Sequence, residues 1–240
     1  MPGHVLDNPF YAALASIHAG FALRHGEVLR YPAEFAPFLA VPHAGVDVAG
    51  ALEDLVPAGD VVLMLGTAPA RLPAGWVLES FADLAQMHCE HELEMIAGPD
   101  IVELGEAHRA DVLALTAMVY PHYFRPRTMA LGRYFGMYIE GRLAAMIGER
   151  LGAPEFRELS AICTHPDFLG RGYARRLTAF LANDTLRAGR CPFLHVSYAN
   201  ARAKSLYEGM GFRLRRDIAF MALRRAPRTF NASGGGAGGG

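Results

Sequence analysis

The stretch Leu169-Gly170-Arg171-Gly172-Tyr173-Ala174 places two glycines around an arginine, directly before a run with helical apolar spacing. Glycine at a helix entrance lets backbone N–H groups approach a ligand closely. The first-turn amides of a helix are unpaired and lie at the positive end of its dipole. Together these features suit a phosphate. Arg171, Arg175 and Arg176 add positive charge nearby. A nucleoside-triphosphate loop is excluded: no GxxxxGK followed by Ser or Thr occurs, and the single lysine is Lys204. A dinucleotide fingerprint fits poorly. GRGYAR has the first two glycines of GxGxxG, but Arg175 stands at the third, and no acidic residue follows about 20 positions on at a strand end. The plain alternative is a tight turn with a glycine hinge.

Other elements must position this loop. Phe156–Thr164 reads as a strand leading into it, and Gly172–Gly189 as a helix closed by a C-cap glycine. Pro192–Tyr198 reads as the next strand, and Asn200–Gly211 as a helix with an Asn cap and a Gly end. Phe212–Leu223 holds one bent strand or two short ones. Upstream, Tyr134–Leu151 reads as two strands joined at Glu140–Gly141, and Glu106–Tyr120 as an amphipathic helix. Asn8 and Pro9 open an N-terminal helix, while Asp60–Gly66 and Gly75–Met87 read as strands. Ala97–Asp100 marks a boundary. The last residues, ASGGGAGGG, cannot bury enough surface to fold and read as a flexible tail. The chain therefore divides into residues 1–98, 99–226 and 227–240.

Composition bounds the class. With 52% apolar and 20% charged residues, the 240-residue chain has ordinary globular content. No stretch nears the roughly 18 unbroken apolar residues of a membrane span, and the N-terminus lacks a secretion signal. Three widely spaced cysteines argue against a disulfide framework and fit a reducing cytoplasm. The net charge of −1 hides a split: residues 1–98 sum to −9, residues 99–170 to −2 and residues 171–240 to +10. The basic end draws an anion. The acidic end either lines the opposite mouth of a site and concentrates cations there, or docks on the basic part. Nucleic acid is not expected, because the whole is near neutral and shows no aromatic-basic reading motif. His88, Cys89 and His91 have metal-like spacing but no second cluster to converge with, so no metal is expected.

ELSAICTHPDFLGRGYARRL followed by FLHVSYANARAKSLYEGMGF resembles the GCN5-related N-acetyltransferase (GNAT) superfamily. Its Gln/Arg-x-x-Gly-x-Gly/Ala loop, between a strand and a helix, binds the pyrophosphate of acetyl-CoA. Leu169 departs from that pattern, standing where Gln or Arg is usual; Gly170, Arg171, Gly172, Tyr173, Ala174 and Arg175 supply the rest. A second motif, Asn-x-x-Ala-x-x-Leu-Tyr-x-x-x-Gly-Phe, is matched by Asn200, Ala203, Leu206, Tyr207, Gly211 and Phe212. The resemblance covers about residues 99–224. It implies an α/β fold with a mixed, mainly antiparallel central sheet, splayed at its centre and flanked by helices. A preceding α/β half, residues 1–98, would be a degenerate GNAT-like unit, an arrangement similar to the glycine N-acyltransferase-like branch.

The resemblance also implies roles. The pantetheine arm would pair with backbone of the strand ending at Ile162, Cys163 and Thr164. Asn200 would cap its helix and reach the arm, and Tyr207 would donate a proton to the departing thiolate. Cys163 reads as packing, since the family transfers the acyl group directly and no activating base adjoins this cysteine. A base must strip the amine's proton. Glu158, six residues before Thr164, has spacing similar to the base of the histone-acetylating branch. His195, five before Asn200, has spacing similar to that of the ribosomal-protein-acetylating branch. Alternation puts Glu158 with Ser160 and Ile162 on one face, and His195 with Phe193 and Ser197 on another. The expected function is acyl-CoA-dependent N-acyl transfer, with acetyl-CoA as donor, no metal, and a small-molecule amine as acceptor. A non-catalytic CoA-binding pseudoenzyme is the alternative, and a nucleotide-binding oxidoreductase a more distant one.

Overall fold

After a 3-10 turn at Val5–Asp7, proline at a helix start opens the first α-helix, α1 (Pro9–Ala15). Asn8 holds the N-cap position without capping: its Nδ2 donates to the Val41 carbonyl at 2.7 Å instead. The structure, a computed structural model, describes residues 3–119 and 123–227. Short strands β1 (Leu23–His25), β2 (Val28–Arg30) and β3 (Leu39–Ala40) follow, then α2 (Ala49–Leu55) and β4 (Val61–Leu65). These first strands and α2 have no clear sequence signal, because each is too short to show a period. The expected single strand Gly75–Met87 is two, β5 (Trp76–Ser80) and β6 (Leu84–His88). Next come β7 (Val102–Glu103), a 3-10 turn at Glu106–His108, and α3 (Arg109–Val119). The expected helix end at Tyr120 lies outside the described residues, as does the glycine tail from residue 228.

The second half follows its sequence signals closely. Strands β8 (Tyr134–Ile139) and β9 (Arg142–Ala153) form a hairpin turned at Glu140 and Gly141, both with positive φ. β10 (Phe156–Thr164), α4 (Tyr173–Arg187), β11 (Cys191–Ser197) and α5 (Ala201–Met210) come next. The final stretch breaks at Ala219 into β12 (Arg213–Ile218) and β13 (Phe220–Arg225).

The central sheet has seven strands in the order β12-β6-β11-β10-β9-β8-β7. Every neighbouring pair is antiparallel except β10 with β11. It is a mixed, mainly antiparallel sheet flanked by helices. Its strands do not respect residue 98. β6, from before that position, lies between β11 and β12, and β13 lies between β4 and β5 in a second sheet. Strand β11 shows the layering. Phe193 packs with Phe10, Leu14 and Phe38 of the N-terminal segment, while Leu194 and Val196 pack with Leu177 and Leu181 of α4. Burying a phenyl ring such as Phe38 contributes about 2–3 kcal/mol, which fixes the N-terminal segment against this face. No helix of the described residues is long and apolar enough to cross a membrane.

Candidate active site

A fork opens in the middle of the sheet. β10 and β11 pair in parallel only where Phe156–Glu158 faces Cys191–Phe193. Beyond that, β10 stays on β9 up to Thr164, and β11 stays on β6 up to Ser197. The facing edges of Leu159–Thr164 and Leu194–Ser197 are thus parted, leaving backbone free to pair with an inserted extended group. A cavity of about 300 Å³ lies at the fork. Ser160, Ile162 and Cys163 line one side; His195, Asn200 and Tyr207 line the other.

β10 carries a bulge in this stretch. Its register moves from Ser160 opposite Gly148 to Cys163 opposite Met146, one residue more on β10, and Ala161 takes φ 50°. The extra residue inverts the alternation. Leu159 and Ile162 both pack with the α4 cluster, while Ala161 and Cys163 pack with Val112 and Leu115 of α3. The expected shared face of Glu158 and Ile162 is therefore corrected, because a period-2 argument cannot cross a bulge.

The glycine loop has the geometry its residues suggest. A 3-10 turn, Pro166–Phe168, is capped by the His165 side chain. Gly170 and Gly172 then adopt φ 77° and 78°, the left-handed region. Around Gly170 nothing lies within 4 Å of a built Cβ, so backbone conformation, not crowding, requires glycine there. α4 starts after Gly172 with no side-chain cap, so its first amides, including those of Tyr173, Ala174 and Arg175, point outward unbonded by a cap. Leu169 is half exposed and brings no polar group. The Arg171 guanidinium lies 5.1 Å from the centre of the Phe168 ring. The other two arginines are turned elsewhere. Arg176 bonds the carbonyls of Ile96 and Pro99, and Arg175 faces Glu94 at 3.8 Å. The cluster of three phosphate-directed charges thus reduces to Arg171 and the helix amides. These features fit a diphosphate at the loop and an extended arm in the fork.

Glu158 and His195, expected as rival bases, are directly bonded: His195 Nδ1 donates to Glu158 Oε1 at 2.7 Å. Arg150 donates from Nε at 2.9 Å and from Nη2 at 2.8 Å to the same carboxylate. Burial pushes the Glu158 pKa up, but the Arg150 charge and the bonds from His195 and Arg150 outweigh it and hold it at about 2. The network continues. Gln86 Oε1 accepts from Arg215, and Gln86 Nε2 donates to the Leu6 carbonyl at 2.9 Å. This orients the amide so that Nε2 also donates to His195 Nε2 at 2.9 Å. Both ring nitrogens of His195 are thus engaged. Arg215 in turn bonds Asp7. Arg150 and Gln86 carry no motif; each is a polar residue in a mainly apolar strand, which is the only sequence signal they give.

Tyr207 projects from α5 into the cavity wall and lies 6.0 Å, ring to ring, from Phe212. Asn200 caps α5, its side chain accepting from Ala203 N. Cys163 is buried, and burial pushes its thiol up to about 12, so it does not form a thiolate near neutrality. Among the described residues no group of three or more His, Cys, Asp or Glu side chains is gathered to hold a metal ion.

Among the described residues, no acidic side chain from before residue 98 lines the cavity. Asp7 pairs with Arg215 and Arg216, Glu53 with Arg225, Glu79 with Arg224, and Glu92 with Arg187. The N-terminal residues at the cavity are Phe10, Phe38, Leu65 and Leu84. Of the two readings of the charge split, docking holds, because the strands of the two halves interleave and bring opposite charges side by side.

Comparison with known proteins agrees with this geometry. A family model described as FR47-like protein matches residues 134–221. A crystal structure of a protein assigned to the GNAT acetyltransferases, from Novosphingobium aromaticivorans, is 32% identical, covering 94% of this chain and 100% of that one, with a TM-score of 0.84. A GCN5-related N-acetyltransferase from Kribbella flavida shares the fold at 15% identity, covering 89% and 93% of the two chains, TM-score 0.59. A GNAT-family acetyltransferase from Colwellia psychrerythraea shares it at 13% identity, covering 82% and 80%, TM-score 0.52. No curated protein matches the sequence. These likenesses concern the superfamily and carry nothing for a glycine N-acyltransferase-like branch.

Proposed function

The chain belongs to the GCN5-related N-acetyltransferase superfamily, and from that premise we propose that it transfers acetyl from acetyl-CoA directly to the primary amine of a small molecule, within the cytoplasm. The observation that carries this is the fork between β10 and β11, which opens at its wide end beside the uncapped start of α4. When bound, the donor supplies a thioester whose carbonyl carbon is open to attack by an amine.

The chain's own residues do the rest. The first amides of α4 and the Arg171 guanidinium hold the diphosphate. The bulged edge of β10, through Ile162, Cys163 and Thr164, pairs with the amide-bearing arm and aims its end at the fork. Glu158 is ionised at neutral pH and sits at the fork's apex, where it attracts the acceptor's ammonium. With its pKa held at about 2 it does not store the proton that the amine must lose. Its role is to position the nitrogen, and His195 keeps the carboxylate in place. The attacking species is then the acceptor's own free-amine fraction, so the rate rises with pH up to the acceptor's pKa. Tyr207 stands on the opposite wall and protonates the leaving sulfur. In water a phenol near pKa 10 gives its proton to a thiolate near 8.5 only at a cost of about 2 kcal/mol. The nitrogen of the tetrahedral adduct is cationic after attack, and its proton passes to the Tyr207 oxygen as the phenol proton moves to sulfur, so no phenolate is left in the site and that cost is offset.

The test has two parts. Acetyl-CoA should raise the melting temperature, whereas NAD and ATP should not. Thiol release from acetyl-CoA should then depend on added amine. Stabilisation by acetyl-CoA without amine-dependent thiol release from any acceptor would identify a CoA-binding pseudoenzyme instead.

A further inference from the structure

The cavity's third wall comes from outside the two motifs. Phe10, Phe38, Leu65 and Leu84 from before residue 98, with Phe220 of β13, close it over Glu158 and His195. Phe10 and Phe38 stack at 4.1 Å between ring centres and 11° between planes. Tyr123 and Phe220 meet at 6.3 Å and 58°. Arg150 and Glu158 are the charged residues among the described residues lining the cavity, and they are bonded to each other twice. The guanidinium plane also lies 5.2 Å from the centre of the Phe38 ring. Among the described residues lining the cavity, the one acid and the one arginine therefore cancel.

We propose that the acceptor is a small monoamine on an apolar body about the size of one ring, without a carboxylate or a second ammonium. The inference rests on the acyl-transfer reading above and names its substrate class. One ammonium can lie against the Glu158 carboxylate. A second ammonium would find no second carboxylate, and burying a charge without a partner is strongly unfavourable. An acceptor carboxylate would need a cation, and Arg150 has Nε and Nη2 committed to Glu158. The aromatic wall takes the remainder of the molecule. A long acyl chain on the donor is a poorer occupant. It would lie along the Glu158 carboxylate, which an amine's N–H groups can bond and an alkyl chain cannot. The cavity of about 300 Å³ is at the small end for ligand sites and is shared with the acyl end of the donor, which leaves the acceptor room for about a single ring.

The experiment uses the full chain, acetyl-CoA, and three acceptors: 2-phenylethylamine, spermidine and glycine. Phenylethylamine should exceed both others in kcat/KM by about 10-fold or more, the range that a filled apolar pocket supplies. Phe220→Ser, which removes one ring from the wall, should reduce that advantage by about 10-fold and leave the acetyl-CoA melting shift unchanged. The wild-type comparison stands even if that variant does not fold. Spermidine or glycine as the best acceptor would overturn the substrate class and leave the acyltransferase reading intact. Octanoyl-CoA outperforming acetyl-CoA with glycine as acceptor would overturn it too, by giving the wall to the acyl chain. No thiol release with phenylethylamine would overturn the substrate class, and only its absence across a broad amine panel would overturn the acyltransferase reading as well.

Discussion

Replacing Glu158 by Gln removes one buried negative charge at constant side-chain length. The native carboxylate accepts from Arg150 at 2.8 and 2.9 Å and from His195 at 2.7 Å. A Gln side chain offers one oxygen, and its NH2 group would face guanidinium N–H groups. The energetic size follows from how far the Arg150 charge and the bonds to the carboxylate displace its pKa. Glu158 ionises at about 2 in the folded chain against an ordinary value of 4.5, a displacement worth about 3 kcal/mol. The sign is fixed by which state binds the proton. Between those two values the unfolded chain is protonated and the folded chain is not. The stabilisation is therefore complete above pH 4.5, shrinks as pH falls towards 2, and is absent below both. Urea unfolding of the wild type and of Glu158→Gln should differ by at least about 3 kcal/mol at pH 7. At about pH 3.5 the gap should narrow by about 1 kcal/mol. All other carboxylates are common to both chains and cancel in the difference. A gap that stays constant with pH, or one under about 1 kcal/mol at pH 7, would refute the claim that Arg150 holds this carboxylate ionised.

Four further outcomes follow from the same geometry. Gly172→Asp puts a side chain and a negative charge at φ 78°, 3.1 Å from Ile96 Cδ1, and should abolish the acetyl-CoA melting shift; a folded variant with the full shift would remove the phosphate assignment. Tyr207→Phe should lower kcat by about 100-fold with little change in Kd for acetyl-CoA, and full activity would show that another group protonates the sulfur. Cys163→Ala should keep kcat within about 3-fold, whereas loss on the scale of a missing nucleophile would contradict a thiol pushed up to about 12. Gln86→Leu strips partners from His195 Nε2 and Arg215 and should cost about 2–3 kcal/mol in urea unfolding; an unchanged midpoint would mean the network does not fix the imidazole.

What the sequence by itself determined is local. Helix period, caps and glycines located α4, α5, the β8–β9 hairpin and the loop at Gly170–Gly172, because φ preference and amide orientation are properties of a few consecutive residues. The two motifs added the family and, through it, the split sheet. The tertiary structure decided the rest, since pairing partners far apart in the chain leave no periodic trace. It put β6 between β11 and β12 and β13 between β4 and β5, so the two halves interleave where the sequence suggested a boundary. It joined Glu158 to Arg150, and His195 to Gln86, turning two rival bases into one hydrogen-bonded unit. One extra residue at Ala161 reversed which side chains share a face, an event that alternation assumes away. Net charge by segment was plain in the sequence. Which acid meets which base depends on where the strands lie, and that placement paired the acidic half with the basic one and left an aromatic wall over the fork.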